Sequence, residues 1–118
     1  MYLPAPDEQV VVGVLRVVLR IPGSRSLKER RRIVAALRDR VHARHRASFA
    51  DVGHLEAHDA AVVAVALVGH DVVNVRSRLD VVRADIENVA DAFVTDMSTE
   101  VFPMTRGSMA GRRVDGTS

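Results

Sequence analysis

Two long runs of β-branched and small apolar residues, Val10 to Ile21 and Ala60 to Gly69, are each followed within a few residues by a helix-start signal. That repeated order of strand and then helix restricts the folds open to the chain. The first run, VVVGVLRVVLRI, partly alternates and stops at Pro22-Gly23, so it reads as a strand. Val11, Leu15, Val17, Leu19 and Ile21 share one face. Val10, Val12, Val14, Arg16, Val18 and Arg20 form the other, which is too apolar for a plain solvent face. The second run, AAVVAVALVG, is apolar on both faces and suits a central strand.

Behind the first run stands Ser26-Leu27-Lys28-Glu29, a capping box. The Ser26 hydroxyl can accept from the Glu29 amide while the Glu29 carboxylate reaches back to the amide of Ser26. The helix this opens is expected to reach about His45. Leu27, Ile33, Val34, Leu37 and Val41 make its apolar arc. Arg30 falls inside that arc, an anomaly that snorkelling or a carboxylate partner would resolve. Behind the second run, Asp71 suits an N-cap. Val72, Val75, Leu79, Val82, Ile86 and Val89 then recur at helical spacing.

Two further strands complete the pattern. Ala47 to His54 places Ala47 and Phe49 on one face; Asp51 breaks the parity, and a bulge there would return Val52 to the core. Val94 to Phe102 is the last strand, with Pro103 ending it. The expected order is β-α-β-β-α-β. Right-handed crossovers then put both helices on one face of a four-stranded antiparallel sheet, an α+β ferredoxin-like plait with the first and third strands in the middle. One domain is expected over residues 10–102, with a loose arm at 1–9 and a disordered tail at 103–118.

Composition removes several classes of function. Without cysteine there is no disulfide, thiolate nucleophile or zinc–thiolate site, which fits a reducing cytoplasm. No apolar run approaches the ~20 residues of a membrane span, and the first residues do not read as a signal peptide. The net charge of +2 conceals a polarity. Residues 1–46 hold 11 Arg and Lys against 4 Asp and Glu, and residues 47–105 hold 3 against 10. A basic segment of this kind points to an acidic partner, nucleic acid first, unless the two segments neutralise each other in the fold.

The candidate sites follow from that charge. At the entry to the first helix, Ser24, Arg25, Ser26 and Lys28 combine hydroxyls, cations and a helix dipole, which suits a phosphate. Along the helix Arg31, Arg38 and His42 share one flank, with Lys28 and Arg32 beside them and Arg40 and Arg44 on the other flank. Such a stripe can track a phosphate backbone; a solvated charged face is the alternative. With one Tyr, three Phe and no Trp, stacking platforms for single strands are missing. His54 and His58 have no third histidine at metal spacing, and Ser24 and Ser26 have no base nearby, so neither a metal, a cofactor nor a catalytic site is expected. Val12, Val14, Arg16 and Val18 lie on the open sheet face, and their exposure would mark an interface, for which a second copy is the simplest occupant.

The stretches Val12-Gly13-Val14-Leu15-Arg16, Ser24-Arg25-Ser26-Leu27-Lys28-Glu29-Arg30-Arg31-Arg32, Val52-Gly53-His54 and Gly69-His70-Asp71 resemble the YlxP-like family, a bacterial domain of unknown function. The resemblance covers residues 11 to about 102. It implies a ferredoxin-like fold. Through the gene neighbourhood of that family, near translation initiation factor 2 and ribosome-binding factor A, it also implies a link to RNA or the ribosome. The family's acidic-Leu-Trp hairpin stretch is here Glu56-Ala57-His58. The reading that results is a cytoplasmic, non-enzymatic binder of structured RNA or a ribosomal subunit, with no preference for DNA. The alternative is a homodimeric regulatory or scaffold domain packed through its open sheet face.

Overall fold

The computed structural model describes residues 9–53 and 57–104. The elements are β1 (Val11–Arg20), α1 (Leu27–His45), β2 (Ser48–Asp51), β3 (Ala60–Gly69), α2 (Val72–Glu87) and β4 (Phe93–Pro103). All pairings are antiparallel and the strand order is β2-β3-β1-β4, so β1 and β3 are central. Both helices lie on one face, α1 over β2 and β3 and α2 over β1, β3 and β4. This is the ferredoxin-like plait. No helix among the described residues is long and apolar enough to cross a membrane. The expected arm at 1–9 and tail at 103–118 lie almost wholly outside the described residues; within them, Pro103 is the last residue of β4.

The core follows the strand parity. Val11, Leu15, Val17, Leu19 and Ile21 are buried with Ala61, Val63, Val65 and Leu67, beneath Val34, Leu37 and Val41 of α1 and Val75, Leu79, Val82 and Ile86 of α2. Leu27, placed in the apolar arc by its spacing, is exposed at the helix start. Between β1 and α1 the chain reverses through a β-turn in which the Ser24 amide donates to the Ile21 carbonyl at 3.0 Å, with Pro22 preset for the turn's second position. Gly13 and Gly69 let α2 come close to the sheet. A Cβ at Gly13 would lie 2.6 Å from side-chain atoms of both Val75 and Leu79, and one at Gly69 would lie 2.7 Å from Val75.

The second strand departs from expectation. It ends at Asp51 and runs in unbroken register with β3, with no bulge inside the strand; just past it the Val52 and Gly53 amides both donate to the Val62 carbonyl, at 2.8 and 3.1 Å. Val52 stays largely exposed instead of returning to the core. The reason is Arg30. Ala47, Phe49 and Asp51 keep the same parity, so Asp51 stands on the helix-covered face, where Arg30 waits. The Arg30 guanidinium donates to both Asp51 carboxylate oxygens, at 2.8 and 3.1 Å, and its Nε donates to the Ala60 carbonyl at 2.7 Å. A bidentate pair of this kind satisfies an arginine side chain only 7% exposed. Two residues that break the apolar pattern in sequence are thus one interaction. The bulge falls in β4 instead, opposite Val18 and Leu19.

Candidate nucleic-acid interface

The capping box forms, with one change of partner. The Ser26 hydroxyl accepts from the Glu29 amide at 3.1 Å, but the Glu29 carboxylate accepts from the amide of Arg25, at 2.6 Å, and not from that of Ser26. A carboxylate therefore already occupies the positive end of the helix dipole. The Ser24 side chain is turned inward. It is 2% exposed, its hydroxyl donates to the Ser26 carbonyl at 3.1 Å, and its own carbonyl accepts from His58 Nδ1 at 2.8 Å. Of the four residues expected to hold an anion here, both hydroxyls are engaged within the turn. Arg25 and Lys28 remain directed to solvent.

The basic side chains of α1 separate into two groups. Arg40, Arg44 and His45 converge on Asp85 of α2. Arg40 donates to it through Nε at 2.9 Å and Nη2 at 2.7 Å, His45 Nε2 lies at 2.9 Å, and Arg44 reaches it at 3.5 Å. Hydrogen bonding from Arg40 holds the Asp85 carboxyl below its usual range; burial opposes this and His45 adds to it. These side chains fasten α1 to α2. In the other group, Lys28, Arg31, Arg32 and His42 are exposed, as is Arg25, and among the described residues none of the five has a carboxylate partner. Arg38 pairs with its exposed neighbour Asp39 at 3.1 Å, an interaction worth little in water.

The unpaired group straddles the crest of the helix. Arg31 and Arg38 overhang a groove of about 370 Å³ toward β2, lined also by Val34, Ala35, Phe49 and Asp51. Arg32 faces the opposite side, above a groove of about 350 Å³ bounded by Arg40 and the turn from Asn88 to Asp91. The arrangement presents positive charge along one exposed ridge. Among the described residues no three of His, Asp and Glu come together as metal ligands. His54 and Glu56 lie outside the described residues, so the hairpin histidine pair is not described as a unit.

A family model described as Protein of unknown function (DUF503) matches residues 12–99. The chain belongs to that family. No curated protein matches it. The region shared with DUF503 begins in β1 and ends in β4, so it contains the whole basic ridge, the Asp85 clamp and the Arg30–Asp51 pair.

On the open face of the sheet, Val12, Val14 and Val18 are half-buried beside Val62, Ala64 and Ala66, while Val68 and Phe102 are more exposed. Arg16 stands there too, 3.5 Å from Asp96, and Arg20 is 3.8 Å from Asp59. The arginines of this face are thus balanced locally. The residue that sequence reasoning missed altogether is Asp85. Its only signal was position. It lies one residue before Ile86 on the buried arc of α2, and Arg40, Arg44 and His45 flank the buried arc of α1.

Proposed function

We propose that the protein is a non-enzymatic binder of structured RNA that uses the first turns of α1. The observation that carries this is the unpaired cation group: Arg25, Lys28, Arg31 and Arg32 stand exposed with no carboxylate partner among the described residues, while Asp51 and Asp85 are taken by Arg30 and Arg40. Long-range attraction to phosphate survives only where protein carboxylates do not cancel it. Structured RNA is favoured over single strands because the central strands of the open face offer valines and alanines where base stacking would need aromatic rings, and the two rings on that face, Phe93 and Phe102, stand at opposite ends of the edge strand β4. The YlxP-like resemblance of the Ser26 to Arg32 stretch directs the reading to a ribosomal subunit and to the cytoplasm. The test is co-sedimentation with ribosomal subunits for wild type and for Lys28→Glu/Arg31→Glu/Arg32→Glu. With three or four phosphate contacts, wild-type affinity should fall roughly 40- to 150-fold between roughly 50 and 200 mM salt. The triple variant, folded by circular dichroism, should not co-sediment. Unchanged association of that variant near physiological salt would refute the reading.

A second reading rests on the open sheet face. Val12, Val14, Val18, Val62 and Val68 form an apolar surface that neither helix covers, and its two arginines are paired within the molecule. A homodimer would bury this face against its copy, with Arg16 at the rim.

A further inference from the structure

β2 closes one side of the sheet, and among the described residues nothing pairs with its outer edge. The register shows which groups that edge offers. The Val52 amide donates to the Val62 carbonyl at 2.8 Å, and Ser48 and Ala50 stand at the same alternation opposite Ala66 and Ala64. Bonded and non-bonded pairs alternate in an antiparallel ladder. The amides and carbonyls of Phe49 and Asp51 therefore point outward. The side chains of these same two residues line the groove beneath Arg31 and Arg38. Edge hydrogen-bonding groups and a cation-walled groove thus lie side by side.

We propose that this edge receives an extended acidic segment of a protein partner as a fifth strand, its carboxylates meeting Arg31 and Arg38. Strand addition supplies main-chain hydrogen bonds, and every second side chain of the added strand falls on the groove side. Charge decides the occupant. Arg31 has no carboxylate partner, and Arg38 has only the exposed Asp39 to give up. Asp51 would repel an acidic strand, but both its oxygens accept from Arg30. Val34, Ala35 and Phe49 offer an apolar floor for methylene groups. A second copy of the chain fits poorly. Pairing β2 with β2 would set two Arg31–Arg38–His42 flanks side by side with like charge. The opposite edge, β4, is interrupted by a bulge and carries Asp96 and Glu100. This inference goes beyond the RNA reading and shares Arg31 with it, so RNA and peptide compete for the flank.

The test is amide hydrogen exchange read by NMR on the full chain, with a capped heptapeptide of alternating Glu and Val as the probe. Peptide should slow exchange at Phe49 and Asp51 by about tenfold or more at saturation, and leave the β4 edge unchanged. Arg38→Ala, at a side chain 48% exposed, should weaken peptide binding about fivefold or more. Lys28→Glu/Arg32→Glu changes charges outside the groove, so it should reduce RNA association and spare the peptide; loss of one activity without the other separates the two readings. The proposal is overturned if Phe49 and Asp51 gain no protection, if a Lys-for-Glu peptide binds equally well, or if a short RNA duplex protects the same amides.

Discussion

Removing Asp51 should destabilise the protein through Arg30. In Asp51→Ala the Arg30 guanidinium keeps its bond to the Ala60 carbonyl but loses both partners on its Nη atoms, at 2.8 and 3.1 Å. Breaking a buried ion pair from one side costs about 3–5 kcal/mol, because the remaining charge is uncompensated. The Asp51 side chain is 34% exposed against 7% for Arg30, so water can enter from the groove, which places the cost near the lower end, about 3 kcal/mol. The chain has no Trp, so urea unfolding is best followed by far-UV circular dichroism. With a slope of about 1.5 kcal/mol/M, the midpoint should drop by about 2 M. Arg30→Met/Asp51→Ala should recover most of the loss, since an apolar replacement of both partners leaves no buried charge. A loss under about 1 kcal/mol in Asp51→Ala, or no recovery in the double variant, would refute this account of Arg30.

Ser26→Ala should cost about 0.5–2 kcal/mol by removing the acceptor for the Glu29 amide; equal unfolding midpoints would show that Ser26 is no cap. Asp85→Asn should cost about 2 kcal/mol at neutral pH through weakened charge-assisted bonds to Arg40 and His45. Because the folded Asp85 carboxyl is held below its usual range, this contribution is present above about pH 4 and is lost as acid protonates the folded carboxylate; the wild-type advantage should therefore shrink as the pH falls below about 4 in acid unfolding. Val14→Asp, set between Ala66 and Glu100, should convert a dimer to a monomer in sedimentation equilibrium with an unchanged far-UV spectrum. A wild type that is monomeric at high micromolar concentration would end the homodimer reading.

The plait was legible because its signals are local. Period-two runs, a capping box and an Asp N-cap each act within a few residues, and together they leave few topologies. The parity of β1 predicted its buried face from Val11 to Ile21. What failed was pairwise and non-local. Asp51 looked like a broken strand because its partner, Arg30, lies 21 residues earlier on a helix. The division of the basic side chains of α1 was hidden for the same reason. Spacing places Arg40 and Arg44 on a helix flank but cannot show that Asp85, over 40 residues away, takes both. The inward turn of the Ser24 hydroxyl likewise depends on the path of the turn between β1 and α1 and not on residue type.

Gly13 and Gly69 act as a keyway for α2. Bare backbone at these two points seats Val75 and Leu79, which locks the helix against sliding along the sheet. From Val75 to Asp85 is ten residues, roughly 15 Å of helix. The depth of the keyway therefore sets how far along the neighbouring helix the acidic hook of α2 lands. It lands at Arg40 to His45. A methyl group on residue 13, at the floor of the sheet, would press on Val75 and Leu79 of the helix that carries the hook. The division of α1 into a tethered end and a charged free end is thus geared to a hydrogen atom in place of a side chain on β1.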